Sequence, residues 1–511
     1  MKKLMTILLA VLMLIPLIVS CGGNDATTTT EAPTTEAPTM EAPTTEAPTT
    51  VAPTTETPTT EAPIQTWSSK NDIRDTWSGK TLNVACSVWY GTGAPWAMPE
   101  AFITEQNDAY FGKKIQNAVL DRNEFIESTY GVKVNWLNAT KASMHSALEA
   151  ATLAKNVNYD LAAPRMMNVQ SIVAGGYVYD LADREYIDFE NSYYNENAVK
   201  TFTAHGHTFF VTGGFSTIDK ETIVVLYFNK NVLGDGSEKA SEELYQLVRD
   251  GKWTYDKLVE YAEAAYKDDG DGERDEDDVY GASISRYNRF FNNFGITQAG
   301  VNKATGKWEI TLNDEDKIDD IIDVIIDTKN ADWLLPIFGW GHVDEDFING
   351  KYIFTDRELL ESYVGLRGDN VGLVPFPMLN EEQGRYYVST SEQQTIFMCI
   401  PKLTQDREMS EYFMDVLCWT GEEYTLKAYI ETKKEHFKAN ADMEMITDYI
   451  IPNISYDAGK TMSWYPLIDG MEYHSYDGNE NKFDEIYAEK EPDALKTIAE
   501  WNAAWGGYTE E

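Results

Sequence analysis

Cysteine is scarce, with four in 511 residues, which excludes a fold stapled by disulfides. Basic residues are also in short supply: 42 Lys and Arg stand against 84 Asp and Glu, a formal net charge of −42. That deficit argues against a nucleic-acid partner held through phosphates and against a polybasic membrane patch. The six histidines show no zinc-protease spacing, and His205-Gly-His207 stands alone. A Gly-x-Ser-x-Gly elbow, a P-loop and a dinucleotide fingerprint are all missing. Carboxylate pairs suited to glycoside hydrolysis exist by sheer abundance, which does not single any out. No catalytic residue is therefore assigned, no cofactor is required, and an enzyme is not expected. A long apolar run occurs once, at Leu4–Val19, and falls short of the ~20 residues that span a bilayer.

That run follows Lys2 and Lys3 and ends in Ile18-Val19-Ser20-Cys21-Gly22-Gly23. Residues 1–20 read as an export signal, and its end resembles a bacterial lipoprotein box. The resemblance makes Cys21 the lipid anchor, the acylated (palmitate-bearing) first residue of the mature chain, and implies attachment to the extracytoplasmic face of the cell membrane. Residues 21–65 then form a Cys-anchored linker rich in Thr, Glu, Ala and Pro. Pro33, Pro38, Pro43, Pro48, Pro53, Pro58 and Pro63 recur every fifth residue, which blocks helix and leaves an extended spacer of up to ~120 Å. Beyond residue 65 the chain keeps 40 basic and 77 acidic residues, so the acidity belongs to the folded body.

What the body does have is alternation between strand and helix patterns. Lys80–Val88, Val132–Trp136 and Tyr159–Ala163 read as strands, separated by helices at Ile115–Ser128 and Ser143–Lys155, the order of a parallel sheet with crossovers. Further strands are expected at Thr222–Phe228, Tyr280–Ile284, Tyr352–Phe354, Val371–Pro375 and Gln394–Ile400. Helices are expected at Glu242–Arg249, Tyr255–Tyr266 (capped by Thr254), Ile318–Thr328, Met409–Trp419 and Ala441–Ile450. This is an α/β body of two lobes, with the chain passing between them more than once. Cys86, Cys399 and Cys418 fall in apolar segments and read as buried thiols.

Glu185-Tyr-Ile-Asp-Phe189, Leu226-Tyr-Phe-Asn-Lys-Asn231, Gly251-Lys-Trp-Thr-Tyr-Asp-Lys-Leu258, Phe347–Phe354, Val371–Pro377, Met443–Ile451 and Tyr456-Asp457 occur in one order along residues 80–505. Together they resemble the carbohydrate-type (family 1) extracellular solute-binding proteins of bacterial ABC transporters. Many relatives carry Pro-Trp-Trp where this chain has Ser192-Tyr-Tyr194. The resemblance implies a two-lobe, periplasmic-binding-protein-like (type II) fold with a hinge and an interlobe ligand cleft. On that reading residues 66–220 and 383–430 form lobe 1, and residues 221–382 and 431–511 form lobe 2. A monomer would capture a small-molecule carbohydrate by lobe closure and hand it to permease subunits in the membrane. The rival readings are a cell-surface glycoside hydrolase and a carbohydrate-binding adhesin without an importer.

Aromatics are abundant, with 13 Trp, 30 Tyr and 20 Phe, and sugar rings stack their C–H faces on such side chains. Trp89 and Trp96 flank a Gly/Pro loop directly after the first strand, where ligands of α/β lobes sit, and Trp464 lies in a similar aromatic loop. Arg165, Arg286, Tyr287 and Arg357 each follow a predicted strand, and Glu392 precedes one; these offer hydrogen bonds to hydroxyls or, for the arginines, to a uronate carboxylate. The alternative for each is a surface ion pair. In the acid run 268–278, Asp269, Asp271, Asp275 and Asp278 fall at positions 3, 5, 9 and 12 of a possible structural calcium loop, although Lys267 occupies position 1.

Overall fold

A computed structural model describes residues 75–87, 108–138, 143–275, 277–284, 286–335, 343–363, 365–461 and 480–510. The export signal, Cys21 and the linker lie outside the described residues, as do Trp89, Trp96 and Trp464. No helix among the described residues is long and apolar enough to cross a membrane.

The first sheet has the parallel order expected from the strand–helix alternation. Strand β1 (Thr81–Cys86) lies between β2 (Lys133–Asn138) and β3 (Leu161–Ala163). Helix α1 (Asp108–Tyr130) leads into β2, and α2 (Met144–Ala154) connects β2 to β3. The second connection is bounded as its sequence dictates: the Ser143 hydroxyl accepts the Ser146 N–H, and Lys155 ends the helix in the left-handed region at φ 50°. Alternation along β1 puts Leu82, Val84 and Cys86 into one apolar cluster and Ala85 into another, so the strand is covered on both faces. A short helix, α3 (Val169–Ala174), follows β3.

The second sheet is mixed. Strand β4 (Val224–Asn229) is buried along its whole length. After it come α4 (Glu238–Arg249) and α5 (Tyr255–Ala265), then β5 (Tyr280–Ser283) and α6 (Asn288–Asn293). Helix α7 (Glu315–Asn330) precedes β6 (Tyr352–Glu358) and β7 (Val371–Val374). The sheet order is β7-β4-β6-β5, with β6 antiparallel to β4 and parallel to β5. Two sequence expectations are corrected here. Thr254 is the N-cap residue of α5, but its side chain makes no capping bond, and its backbone bridges Met378. Gln394–Ile400 forms no continuous strand: Gln394 lies in a turn, and the rest pairs through isolated bridges among the described residues, such as Arg165 to Ile396 and Ala162 to Cys399.

The reason is that this segment is a crossing. Ile223 bridges Thr390 at the start of the second sheet, while residues 396–399 lie against β3. The outgoing crossing is the short helix Ile218–Glu221, which runs straight into β4. The two crossing segments meet in a cluster of threonine hydroxyls: Thr222 and Thr390 at 3.2 Å, and Thr390 and Thr395 at 2.9 Å. A third passage is helical. Helix α8 (Arg407–Thr420) packs Met409, Phe413 and Leu417 with the residues of β1 and β3. A π turn at Gly421–Leu426 follows, and α9 (Lys427–His436) packs Tyr429 with Leu360 and Tyr363. A π turn of this kind often marks a functional position. At this turn two backbones touch: a Cβ on Gly421 would lie 1.9 Å from the Gly214 carbonyl oxygen, so both sites admit only glycine.

The last helix, α10 (Phe483–Gly506), packs Trp501 and Trp505 on Trp308 and also meets α3. Cys86, Cys399 and Cys418 are buried outside any disulfide, and burial pushes the Cys399 thiol well above its ordinary range. Trp253 is buried and donates to the Pro375 carbonyl, a structural role as its sequence setting suggested.

Candidate ligand-binding site

In open α/β sheets, ligands bind beyond the carboxyl ends of the strands. Here β1 and β3 end at Cys86 and Ala163, and β5 and β6 end at Ser283 and Glu358. The crossing at residues 389–396 runs past both sets of ends and gathers polar side chains from each.

From the first sheet, Arg165 follows β3 and donates to the Gln393 carbonyl at 3.4 Å; burial lowers the pKa of its half-buried guanidinium. The next two amides are also tied to the crossing, Met166 N to Thr395 O at 2.8 Å and Met167 N to Glu392 O at 3.0 Å. From the second sheet, Arg286 follows β5. Its amide donates to Asp356 at 2.9 Å, and its guanidinium pairs with Glu358 at 3.0 Å. One helical turn on, the buried Arg289 donates to the Thr390 carbonyl at 2.6 Å and stands 3.9 Å from Glu392. The structure therefore ties Arg165 and Glu392 to the crossing, while Arg286 stands one turn before Arg289, whose amide donates to the Arg286 carbonyl at 2.8 Å.

Two predicted residues are placed differently. Tyr287 packs its ring on Phe290 against the core, where burial and the Asp356 charge push its phenol up. Arg357 lies beside Asp356, 3.6 Å away, but strand alternation aims it at the sheet face opposite Asp356 and Glu358. Sequence reasoning missed Arg289, Glu358 and Asp457. Arg289 stands three residues after Arg286, the spacing of one helical face, which was a usable signal. Asp457 is buried and accepts from the Gln298 amide at 3.1 Å and from Asn292 at 3.3 Å.

The same segments carry buried polar atoms with no partner among the described residues: Ser87 Oγ just beyond β1, Asn168 Oδ1 after Arg165, Ser283 Oγ at the end of β5, and Ser389 Oγ and Gln394 Oε1 on the crossing. In α3, neither amide atom of Gln170 has a partner although the residue is 1% exposed. A buried polar group left without a bond costs about 1–3 kcal/mol, so such groups in one region mark a place suited to a hydroxyl-rich ligand.

Behind the site, the outgoing crossing holds a saturated charge network. Lys433 and Glu221, 0% and 1% exposed at the side chain, pair at 2.8 Å. Lys433 spends its other protons on Ser362 Oγ at 3.0 Å and the Leu359 carbonyl at 3.4 Å, while Tyr363 donates to Glu221 at 2.7 Å. Asp219 pairs with Lys220 at 3.0 Å and accepts from Tyr456 at 3.2 Å. His436 Nδ1 lies 3.0 Å from Ser362 Oγ, and its Nε2 faces Arg367, an obligate donor, so the ring is neutral.

The acidic loop does not assemble the predicted ligand set. Asp268, Asp269 and Asp271, all exposed, offer oxygens within 4.8 Å of one another. Asp278 is buried and spends one oxygen on the Asp269 amide at 3.0 Å, and Asp275 accepts the Asp277 amide at 2.8 Å. Calcium takes about six to eight oxygens, so this donor set does not fit the ion in the predicted arrangement. A surface pocket of about 600 Å³ lies elsewhere, lined by Tyr179, Arg184, Tyr186, Arg407 and Glu411 among others. No predicted ligand-binding residue lines it, and Glu510 pairs with both of its arginines.

No family model matches the chain, and no curated protein matches its sequence. Its structure is similar to that of a cyclo/maltodextrin-binding protein complexed with maltotetraose, with a TM-score of 0.52 and 13% identity over 82% of this chain and 96% of the other. It is also similar to the sugar-binding protein MalE from the phytopathogen Xanthomonas citri, with a TM-score of 0.52 and 11% identity over 82% of this chain and 97% of the other. At such identities the likeness carries the fold, a two-lobe α/β binding-protein architecture joined by crossing segments.

Proposed function

We propose that this chain is an extracellular solute-binding protein that captures a carbohydrate, an oligosaccharide or sugar derivative, by closing its two lobes and delivers it to an ABC importer. The observation that carries the reading is the set of buried, partnerless polar atoms in the segments leaving the strand ends, at the level where the chain crosses between sheets. Donors and acceptors of that kind suit sugar hydroxyls, and a ligand touching both lobes shifts an open–closed equilibrium by its differential affinity. Bond breaking has no part in this mechanism. The arginines and carboxylates orient the ligand's hydroxyls and one another.

Anchoring through acylated Cys21 and the Pro-rich linker would hold the body at the extracytoplasmic face of the membrane, within reach of permease subunits. A monomer suffices for capture. Calorimetry of the purified body against a glycan panel tests the reading: saturable binding with the glycan recovered unchanged, and a smaller radius of gyration by X-ray scattering when the ligand is bound. Recovery of a cleaved glycan would replace it with a hydrolase, and binding without compaction would replace it with a static adhesin.

A further inference from the structure

Arginines at a sugar site raise a choice between two ligand chemistries, because a guanidinium serves both neutral hydroxyls and a uronate carboxylate. In this molecule the choice is written in what stands next to each arginine. Arg286 is held by Glu358 at 3.0 Å, and Arg289 stands 3.9 Å from Glu392. Both carboxylates are buried, at 7% and 5% exposure. Arg165 donates to the Gln393 carbonyl, and Asp457, 2% exposed, adds another buried negative charge on the Arg289 side through Asn292. Arg286 and Arg289 thus each have a buried carboxylate of the protein beside them. Apart from the Nε of Arg286, whose guanidinium is already paired with Glu358, the groups of these segments with hydrogen-bonding capacity left over are uncharged: the hydroxyls of Ser87, Ser283 and Ser389 and the side-chain amides of Asn168, Gln170 and Gln394.

We infer that the site selects an uncharged oligosaccharide and discriminates against uronates, with Glu358 and Glu392 as the specificity-determining residues. The inference rests on the carbohydrate-capture reading and deepens it. A uronate carboxylate could engage Arg286 or Arg289 only by displacing a buried glutamate, which would then lie desolvated beside another negative charge. The surrounding body adds to the discrimination, since 40 basic residues face 77 acidic ones beyond residue 65. Removing one glutamate charge should therefore do more than weaken the site: it should hand an arginine to an anionic ligand.

The experiment is isothermal titration calorimetry of the protein against two matched panels at low and moderate salt. One panel holds neutral oligosaccharides of glucose, galactose, mannose and xylose, and the other oligogalacturonates and oligoguluronates. The expected result is a neutral ligand whose Kd changes less than about twofold with salt, with every uronate at least about tenfold weaker. Glu392→Gln should then raise uronate affinity about tenfold in a salt-sensitive manner, and Glu358→Gln is the second variant should the first not fold. A wild-type protein that prefers an oligouronate, with affinity falling as salt rises, overturns the inference while leaving carbohydrate capture standing. So does a variant that folds but gains nothing for uronates. Binding of neither panel overturns the capture reading itself and this inference with it.

Discussion

Along the outgoing crossing, Asp219, Lys220, Glu221 and Lys433 each have a partner, and Lys433 spends all three of its protons. Along the return crossing, a few residues away, arginines are paired but serine, asparagine and glutamine groups are buried with nothing to bond. The two regions share depth and polarity and differ in completeness. A complete network fixes geometry, which is what a pivot between lobes requires. An incomplete one stores binding capacity for a molecule that is not part of the chain.

The contrast breaks most visibly at Lys433. Lys433→Met leaves Glu221 buried with no cation, and we expect a loss of about 3–5 kcal/mol in urea denaturation. Replacing Glu221 by Leu in the same chain should restore most of it, because an apolar pair is an adequate substitute for a buried ion pair. A single variant as stable as the parent would mean that the network fixes nothing.

A sharper measure of the same network is its response to acid. His436 is held down to about 3, first by burial and then by the positive charges of Lys433, Arg367 and Lys438, with Ser362 and the Tyr363 ring as its other neighbours. In the unfolded chain the imidazole takes up its proton near pH 6.5. Below that value the unfolded state binds more protons, so this contribution is complete above about pH 6.5 and drains away as pH falls toward the folded value. By about pH 5 the loss should be about 2 kcal/mol. His436→Gln should flatten this acid limb, which urea midpoints at about pH 7.5 and pH 5 will show.

The smallest expected effects lie on the other side of the comparison. Ser389→Ala and Ser283→Ala remove hydroxyls that bond nothing in the protein, so stability should stay within about 0.5 kcal/mol. Affinity for the captured glycan should nevertheless fall about three- to tenfold in calorimetry. Lost stability with unchanged affinity would move these serines from ligand recognition to structure.

Much of this architecture was legible in the amino-acid order. Alternation marked β1, a β-rich apolar run marked β4, and helical patterning marked α2, because those signals are local. Arg165, Arg286 and Glu392 could be picked as candidates for a related reason: each stands next to a strand, and strand ends define the ligand level. The pairing of Lys433 with Glu221 was not legible, since 212 residues separate them and no periodicity links them. Nor was the single-bridge pairing of residues 394–400. Their apolar pattern is that of a strand, but a segment passing between two sheets has no continuous neighbour to pair with.

The contact between Gly214 and Gly421 has a consequence for how this scaffold can diversify. Where one backbone rests directly on another, every amino-acid replacement adds atoms to a space that has none to give. Those two codons should stay silent in any mutational library, whatever ligand is selected for. Tolerance should instead collect at Asn168, Ser283 and Gln394, where exchanging one small polar group for another leaves the chain path alone. A lineage adapting to new sugars would vary there first, with its joint unchanged.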